Sequence, residues 1–303
     1  MEFLIGTGGW SYFKVDNQQS LKTYSEVFNF VEVNYTFYQY PKMQMVDSWR
    51  RNVHSSFTFS VRCHQDLTHQ VGLKPVDQAF EVFYKMKAYC SALNTPYLVL
   101  ETPPNYVADK KSINEAREFF LGLNLKGMRL IWEFRAPLTQ TVTELMNDFN
   151  IVQSVDLSKD KPAFNLDVTY SRLFGKGKHN IYQFTDDELV EIDRKAQDTH
   201  SKTIILSYHG VRMNSDAARH VAYKKTGNFL PVTSYTGVDS AKAVLAEDAK
   251  FPSTKSELED DQGWKVIDLT QNKRIHLSEG LNKIPDKIYS NIDDVIKELR
   301  VVL

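Results

Sequence analysis

Short apolar runs rich in β-branched and aromatic residues recur along this chain, and longer stretches with apolar positions at helical spacing lie between most of them. The runs are residues 3–7 (FLIGT), 30–34 (FVEVN), 57–62 (FTFSVR), 97–101 (YLVLE), 128–134 (MRLIWEF), 151–156 (IVQSVD), 168–174 (VTYSRLF) and 203–208 (TIILSY). The intervening pattern predicts helices over 21–28, 43–51, 76–93, from about 112, and over 186–197. In the third of these Phe80, Phe83, Tyr84 and Met86 recur at helical spacing. Strands that alternate with helices pair in parallel, because each parallel neighbour needs a crossover. Eight such strands close a barrel that side chains can fill. The fold class is therefore read as α/β, a TIM-like (β/α)8 barrel with a small C-terminal helical appendix. An open doubly wound sheet is the alternative, and it places a G-x-G-x-x-G turn after its first strand. Gly6, Gly8 and Gly9 lie near that position with the wrong spacing, and Trp10 stands where that turn needs a small residue.

Beyond Tyr208 the pattern loosens. Residues 209–225 are polar and basic, and residues 226–236 carry the Gly, Pro, Ser and Thr of a long loop. The expected organisation is a barrel over 1–225, a linker over 226–250 and a small helical module over 251–303. Within the module, Ser253 or Thr254 with Glu257 reads as a capping box, and Ser290 or Asn291 caps the last helix. Trp264 reads as core of the module, and Trp49 with Arg50 and Arg51 as a helix end.

Composition adds boundaries rather than chemistry. Hydrophobic residues make up 42% and charged residues 25%, with a formal net charge of −1. No whole-molecule field draws the chain to nucleic acid or membrane, so anion binding must come from local patches. Two cysteines, Cys63 and Cys90, are too few for a disulfide framework and read as reduced thiols. The N-terminus lacks a signal-peptide pattern and no run reaches spanning length, so the chain is expected to be cytoplasmic with no membrane partner.

In a (β/α)8 barrel the chemistry lies at the carboxyl ends of the strands. Those ends carry Trp10 after strand one and Glu32, Asn34 and Tyr38 after strand two. Arg62, His64 and His69 follow strand three, Glu101 strand four, and Glu133 and Arg135 strand five. Asp156, Arg172, Tyr208 and His209 complete the set. So many charges in a barrel mouth are costly to bury unless they pair or serve a ligand. Glu32 and Glu133 are the acid/base candidates, because each sits in an apolar strand where desolvation raises a carboxyl pKa. Asn34, Arg135 and His209 join them as catalytic candidates. The competing reading of Glu133 is an ion pair with Arg135 or Arg62. His64 and His69 form no metal-binding motif, so no metal ligand is assigned and a divalent metal is not favoured.

Residues 170–182 interleave Arg172, Lys176, Lys178 and His179 with Tyr170, Phe174 and Tyr182, and Gly175 and Gly177 would let backbone approach a ligand. Arg212, Arg219, His220, Lys224 and Lys225 follow strand eight. Phosphate sites in barrels often use these two loops, and aromatics mixed with cations suit stacked bases. The competing reading is a solvated basic loop. The substrate-binding candidates are thus Trp10, Tyr38, Arg62, His69, Glu101, Arg172, Lys176, Lys178 and Tyr208.

The motifs Gly6-Thr-Gly-Gly-Trp10-Ser-Tyr12, Phe28-Asn-Phe-Val-Glu32-Val-Asn34-Tyr-Thr36-Phe37-Tyr38, Phe59-Ser-Val-Arg62 with Leu67-Thr68-His69, Thr102-Pro103-Pro104 and Trp132-Glu133-Phe134-Arg135 resemble the YecE-like family (domain of unknown function 72) over residues 1–208. The family's Arg-x-His-Gly is replaced by Arg172-Leu-Phe174-Gly175, its Phe-Asn-Asn by Ser207-Tyr208-His209, and its glutamine before the double proline by Glu101-Thr102. These departures imply a divergent subfamily. The module at the C-terminus is similar to domain of unknown function 2795. The family's barrel resembles endonuclease IV-like and sugar-isomerase-like barrels, which implies phosphodiester or sugar chemistry by analogy of fold. The first expectation is a DNA-repair nuclease, glycosylase or lyase, with Trp10, Tyr38 and Tyr208 stacking a flipped base. Lys176 is the nearest candidate for a lyase Schiff base. The alternatives are an enzyme acting on a small phosphorylated sugar, and a non-catalytic module that binds a protein partner through its C-terminal part.

Overall fold

The alternation of lumen-facing and helix-facing positions along eight strands builds a closed parallel barrel, in the order β1-β2-β3-β4-β5-β6-β7-β8. A computed structural model describes residues 1–15 and 20–303. The chain forms two units, one of residues 1–173 and 195–208, the other of residues 174–194 and 209–303.

In the first unit the order is β1 (Glu2–Thr7), α1 (Leu21–Val27), β2 (Phe30–Val33), α2 (Tyr35–Tyr38), α3 (Met43–Arg51), β3 (Thr58–Arg62), α4 (Asp77–Ala92), β4 (Tyr97–Thr102), α5 (Lys110–Leu121), β5 (Arg129–Phe134), α6 (Gln140–Asp148), β6 (Val152–Val155) and β7 (Val168–Leu173). Helix α7 (Asp186–Gln197), whose residues up to Arg194 belong to the second unit, precedes β8 (Thr203–Tyr208), which closes the barrel on β1. Ser20, Asp109 and Thr139 cap α1, α5 and α6 with side-chain oxygens. A turn of π-helix, Asp66–Val71, follows β3. Neither it nor α2 is foreseen from periodicity.

The lumen is layered. Leu4, Phe30, Val99, Ile131, Val152, Val168 and Ile205 form an apolar cluster with Tyr170. Two residues further on, the same face of the strands carries Glu32, Glu101, Glu133, Ser154 and Ser207, since side chains repeat a face every second residue. Arg62 and Arg172 take the corresponding places on β3 and β7. Beyond an apolar floor, the inward face of the barrel is thus charged.

The second unit continues with α8 (Met213–Thr226), α9 (Gly237–Leu245), β9 (Ser253–Thr254), α10 (Lys255–Gln262), β10 (Val266–Thr270), β11 (Lys273–His276), α11 (Ser278–Leu281), β12 (Ile288–Tyr289) and α12 (Ile292–Val302). Its core joins Ala241, Val244 and Leu245 of α9 to Leu258, Ile267, Ile275, Leu281, Val295 and Leu299. The stretch read as a linker therefore carries a core helix, and the helical module also holds two antiparallel pairs, β10-β11 and β9-β12. Thr254 and Glu257 form both halves of a capping box, and Asn291 caps α12. Helix α8 stands where polarity suggested a loop. Its buried face is Ala217 with the polar Asp216, Arg219 and His220, of which Arg219 is ion-paired with Asp216 and Asp186, so the apolar stripe that periodicity detects is missing. Trp264 is half-buried, with the Arg212 guanidinium 5.8 Å from its ring, rather than in the core.

Candidate active site

The charged layer of the lumen is one network of three carboxylates and three guanidiniums. Arg172, with 2% of its side chain exposed, lies at the centre. Its Nη2 is 3.1 Å from Glu32 Oε1, its Nη1 is 2.5 Å from Glu101 Oε2, and Nη1 also donates to Glu133 Oε2. Arg62 Nη2 is 2.5 Å from Glu101 Oε2, and its Nη1 donates to Asn34 Oδ1 at 2.9 Å. Arg135 reaches Glu133 Oε1 through Nε at 2.7 Å and Glu101 Oε1 through Nη1 at 3.0 Å. The Tyr170 hydroxyl donates to Glu32 Oε2 at 2.8 Å and sits 2.7 Å from Ser60 Oγ. Three negative and three positive charges balance, which is what allows them to be buried.

The strands dictate this meeting. Glu101 and Glu133 are register partners on β4 and β5. Like charges in that relation destabilise a sheet unless cations intervene. Asn34, at the end of β2, is fixed by donating to the Gly8 carbonyl at 3.0 Å while accepting from Arg62. The Arg62 guanidinium also lies 3.7 Å from the centroid of the Phe37 ring. Phe37 belongs to α2, and this short helix also presents Tyr38, an exposed ring 6.0 Å from Arg62. Buried atoms Arg62 Nε and Ser154 Oγ have no protein partner.

Titration follows this wiring. Burial works against the charge of Glu133, but the guanidiniums of Arg172 and Arg135 outweigh it and hold the carboxyl below its ordinary range. Desolvation in an apolar strand led to the opposite expectation, and the two arginines are the physical reason for the correction. Burial likewise opposes the charge of Arg172, yet Glu133, Glu32 and Glu101 push its pKa well above the usual value. Burial raises Tyr170, and Glu32 adds to it, so this hydroxyl stays protonated as a donor. His69, in the π-turn, accepts or donates at 2.9 Å with Thr68 Oγ1 and lies edge-on to Phe37. Burial lowers its pKa, and the field of Arg62 and Arg135 opposes the pull of Glu101, leaving a neutral imidazole at neutral pH.

Nine expected residues thus fall in one cluster or at its edge: Glu32, Asn34, Tyr38, Arg62, His69, Glu101, Glu133, Arg135 and Arg172. Sequence reasoning missed Tyr170 as part of the cluster, although its place two residues before Arg172 puts it on the same face. Trp10 lies after β1, packed edge-on against Trp49 at 5.4 Å, so Trp49 is more than a helix end. Tyr208 is fully buried and in register with Thr7 and Leu173, on the face turned away from the lumen. Period-2 alternation gives the lumen position to Ser207, opposite Arg172.

The remaining expected residues belong to the second unit. His209 is partly buried, with its ring 5.1 Å from Phe174. Lys176 Nζ is 2.9 Å from Glu188 Oε1, which also accepts from the Tyr182 hydroxyl at 2.5 Å. Lys178 is exposed. A side chain on Gly175 would strike the Tyr182 ring, and one on Gly177 the Ile181 carbonyl. The loop's own residues therefore occupy the space these glycines leave. Arg212, Arg219, His220 and Lys224 are paired with Glu247, Asp186, Asp193 and Asp193 respectively.

A family model described as protein of unknown function DUF72 matches residues 4–225. The chain belongs to the DUF72 family. Among solved structures it is similar to a DUF72 protein of Thermotoga maritima, with 18% identity, a TM-score of 0.58, and 74% of this chain and 98% of that one covered. A DUF72 protein of Enterococcus faecalis gives 12% identity and a TM-score of 0.58, covering 74% and 97%. At these identities the likeness concerns the fold. No curated protein matches the sequence. Among the described residues, no group of three or more His, Cys, Asp or Glu side chains is placed to hold a metal ion, and no helix is long and apolar enough to cross a membrane. Cys63 and Cys90 are both buried free thiols.

Proposed function

We propose that this DUF72 barrel binds a small phosphorylated sugar at its mouth and acts on it by carboxylate proton transfer. The observation that carries the reading is Arg135. Its side chain is 35% exposed, against 7% for Arg62 and 2% for Arg172, so it is the guanidinium of the cluster that an arriving anion meets. A guanidinium fork is suited to a phosphate. Beside it stand Glu133, 13% exposed, the neutral imidazole of His69 and the open ring of Tyr38. These supply an acid/base pair and an apolar face for a sugar ring.

A continuous nucleic-acid strand fits less well. Following its backbone takes cations in series, and Lys176, Arg212, Arg219 and Lys224 are each held by a carboxylate. The exposed rings of Tyr12 and Tyr38 favour the second reading, a single nucleotide stacked at the mouth. The test is a binding panel of sugar phosphates, nucleoside monophosphates and single-stranded oligonucleotides, measured by calorimetry with wild type and Arg135→Gln. Saturable sugar-phosphate binding that Arg135→Gln weakens at least about tenfold, the loss of one charge-assisted pair, supports the proposal. Binding of oligonucleotides alone, with a steep salt dependence and no response to Arg135→Gln, would replace it.

A further inference from the structure

Glu101 and Glu133 face each other across β4 and β5, and two cations hold them together. From the buried side Arg172 Nη1 serves both Oε2 atoms, at 2.5 Å from Glu101 and in contact with Glu133. From the solvent side Arg135 serves both Oε1 atoms, Nε at 2.7 Å from Glu133 and Nη1 at 3.0 Å from Glu101. Glu101 has a third cation in Arg62, whose Nη2 is 2.5 Å from its Oε2, whereas the cations at Glu133 are Arg172 and Arg135. Arg172 is enclosed by three carboxylates, whereas Arg135 is the partner with an open side.

We infer that an anion seated on Arg135 draws its guanidinium away from the pair, and that a proton from solvent then settles on Glu133, making it a carboxylic acid that faces the ligand. This rests on the reading of the mouth as an anion site. In the step, the N–H···O bonds from Arg135 Nε to Glu133 Oε1 and from Arg135 Nη1 to Glu101 Oε1 break, an O–H bond forms on Glu133 Oε1 with a proton given up by the buffer acid, and Glu101 stays ionised on Arg62 and Arg172. No electrons are transferred. The resting cluster carries three charges of each sign, so the proton offsets part of the charge that the anion brings.

The groups that face Glu133 set the direction. They are Arg135 on its own strand end, Glu101 on β4, and Arg172 on β7, itself held by Glu32 on β2. Beyond Glu101 lie Arg62 on β3 and His69 in the π-turn. In the resting protein two guanidiniums overcome the burial that opposes ionisation of Glu133. With one of them taken, burial and the neighbouring Glu101 favour the protonated form. Anion affinity therefore rises as pH falls between the resting and bound titration ranges, by about tenfold per pH unit for one linked proton. His69 is the competing acceptor of that proton.

Sulfate is a suitable probe, because it stays a dianion across the range and brings no titrating proton. Calorimetric titration of sulfate into wild type, in two buffers of different ionisation enthalpy and at pH values from about 5 to about 7, is expected to show proton uptake that grows as pH falls, up to one proton per anion. Glu133→Gln binds sulfate without uptake, and His69→Gln keeps the uptake. Sulfate binding with no uptake in wild type, uptake that survives in Glu133→Gln, or uptake lost in His69→Gln overturns the inference. No sulfate binding at all, with Arg135→Gln indistinguishable from wild type, overturns the anion-site reading beneath it.

Discussion

Both units bury arginines among carboxylates, and the two networks end differently. In the barrel lumen, Glu32, Glu101 and Glu133 surround Arg172, and the chain of pairs runs outward to Arg135, a third exposed. In the second unit, Asp216, Arg219, Asp186, Arg274 and Asp268 form a line of ion pairs at 3.2, 2.5, 2.8 and 2.8 Å. That line ends on backbone: Asp268 accepts from the amides of Val232 and Thr233, and Asp216 from the amide of Phe184. One network terminates at solvent with a cation, the other at peptide groups of its own chain. Buried ion pairs add little net stability compared with apolar packing, so where they end is more telling than how many there are. An end that pins a loop is structural, and an end that meets solvent is open to a ligand.

The largest expected effect comes from removing the centre of the lumen network. Arg172→Met leaves three buried carboxylates with two cations and is expected to cost about 3–5 kcal/mol at neutral pH in denaturant unfolding. The deficit narrows as pH falls, because Glu133 without Arg172 protonates more readily in its buried place. An unchanged midpoint would mean that Arg172 does not hold the lumen together. Next, Arg274→Leu leaves Asp186 and Asp268 without a shared partner. It is expected to cost about 3 kcal/mol, the low end for breaking a buried pair, and to speed hydrogen exchange at the amides of Val232 and Thr233. Slow exchange there would show that the loop is held by something other than Asp268.

The two networks also titrate with opposite signs. Glu133 has its pKa lowered in the fold, so its contribution is complete above the ordinary carboxylate value of about 4.3 and is lost as pH falls through the folded pKa. Burial raises Asp216 to about 7, more than Arg219 and the Phe184 amide lower it. Its contribution is present below the ordinary aspartate value of about 3.9 and is lost as pH rises through about 7. Glu133→Gln should therefore reduce the loss of stability in acid, and Asp216→Asn should reduce the loss as pH rises from about 4 to about 7. Profiles that move together in both variants would erase the distinction. The smallest effect on stability is expected for Arg135→Gln, within about 1 kcal/mol because a partly exposed pair is screened. A much larger loss would make Arg135 structural and remove the asymmetry between the networks.

The sequence makes the barrel and its charged ring legible because strand periodicity places Glu32, Glu101, Glu133 and Arg172 on one face without reference to any neighbour. It does not reveal who pairs with whom. Tyr170 and Glu32 are 138 residues apart, and Arg172, read as a phosphate holder, is claimed by carboxylates from three other strands. The second unit is less legible for a related reason. Helix α8 buries Asp216, Arg219 and His220, and a polar buried face looks like a solvated loop until its partners are known. The basic loops suffer the same confusion, since Glu188, Glu247 and Asp193 neutralise residues that look like phosphate ligands.

The most direct measurement is a crystal structure of the protein grown with a sugar phosphate that binds it in solution. The account predicts phosphate oxygens within hydrogen-bond distance of the Arg135 guanidinium, a broken Arg135–Glu133 contact and an intact Arg172 cluster. A ligand seated elsewhere, with Arg135 still bridging Glu101 and Glu133, would contradict it.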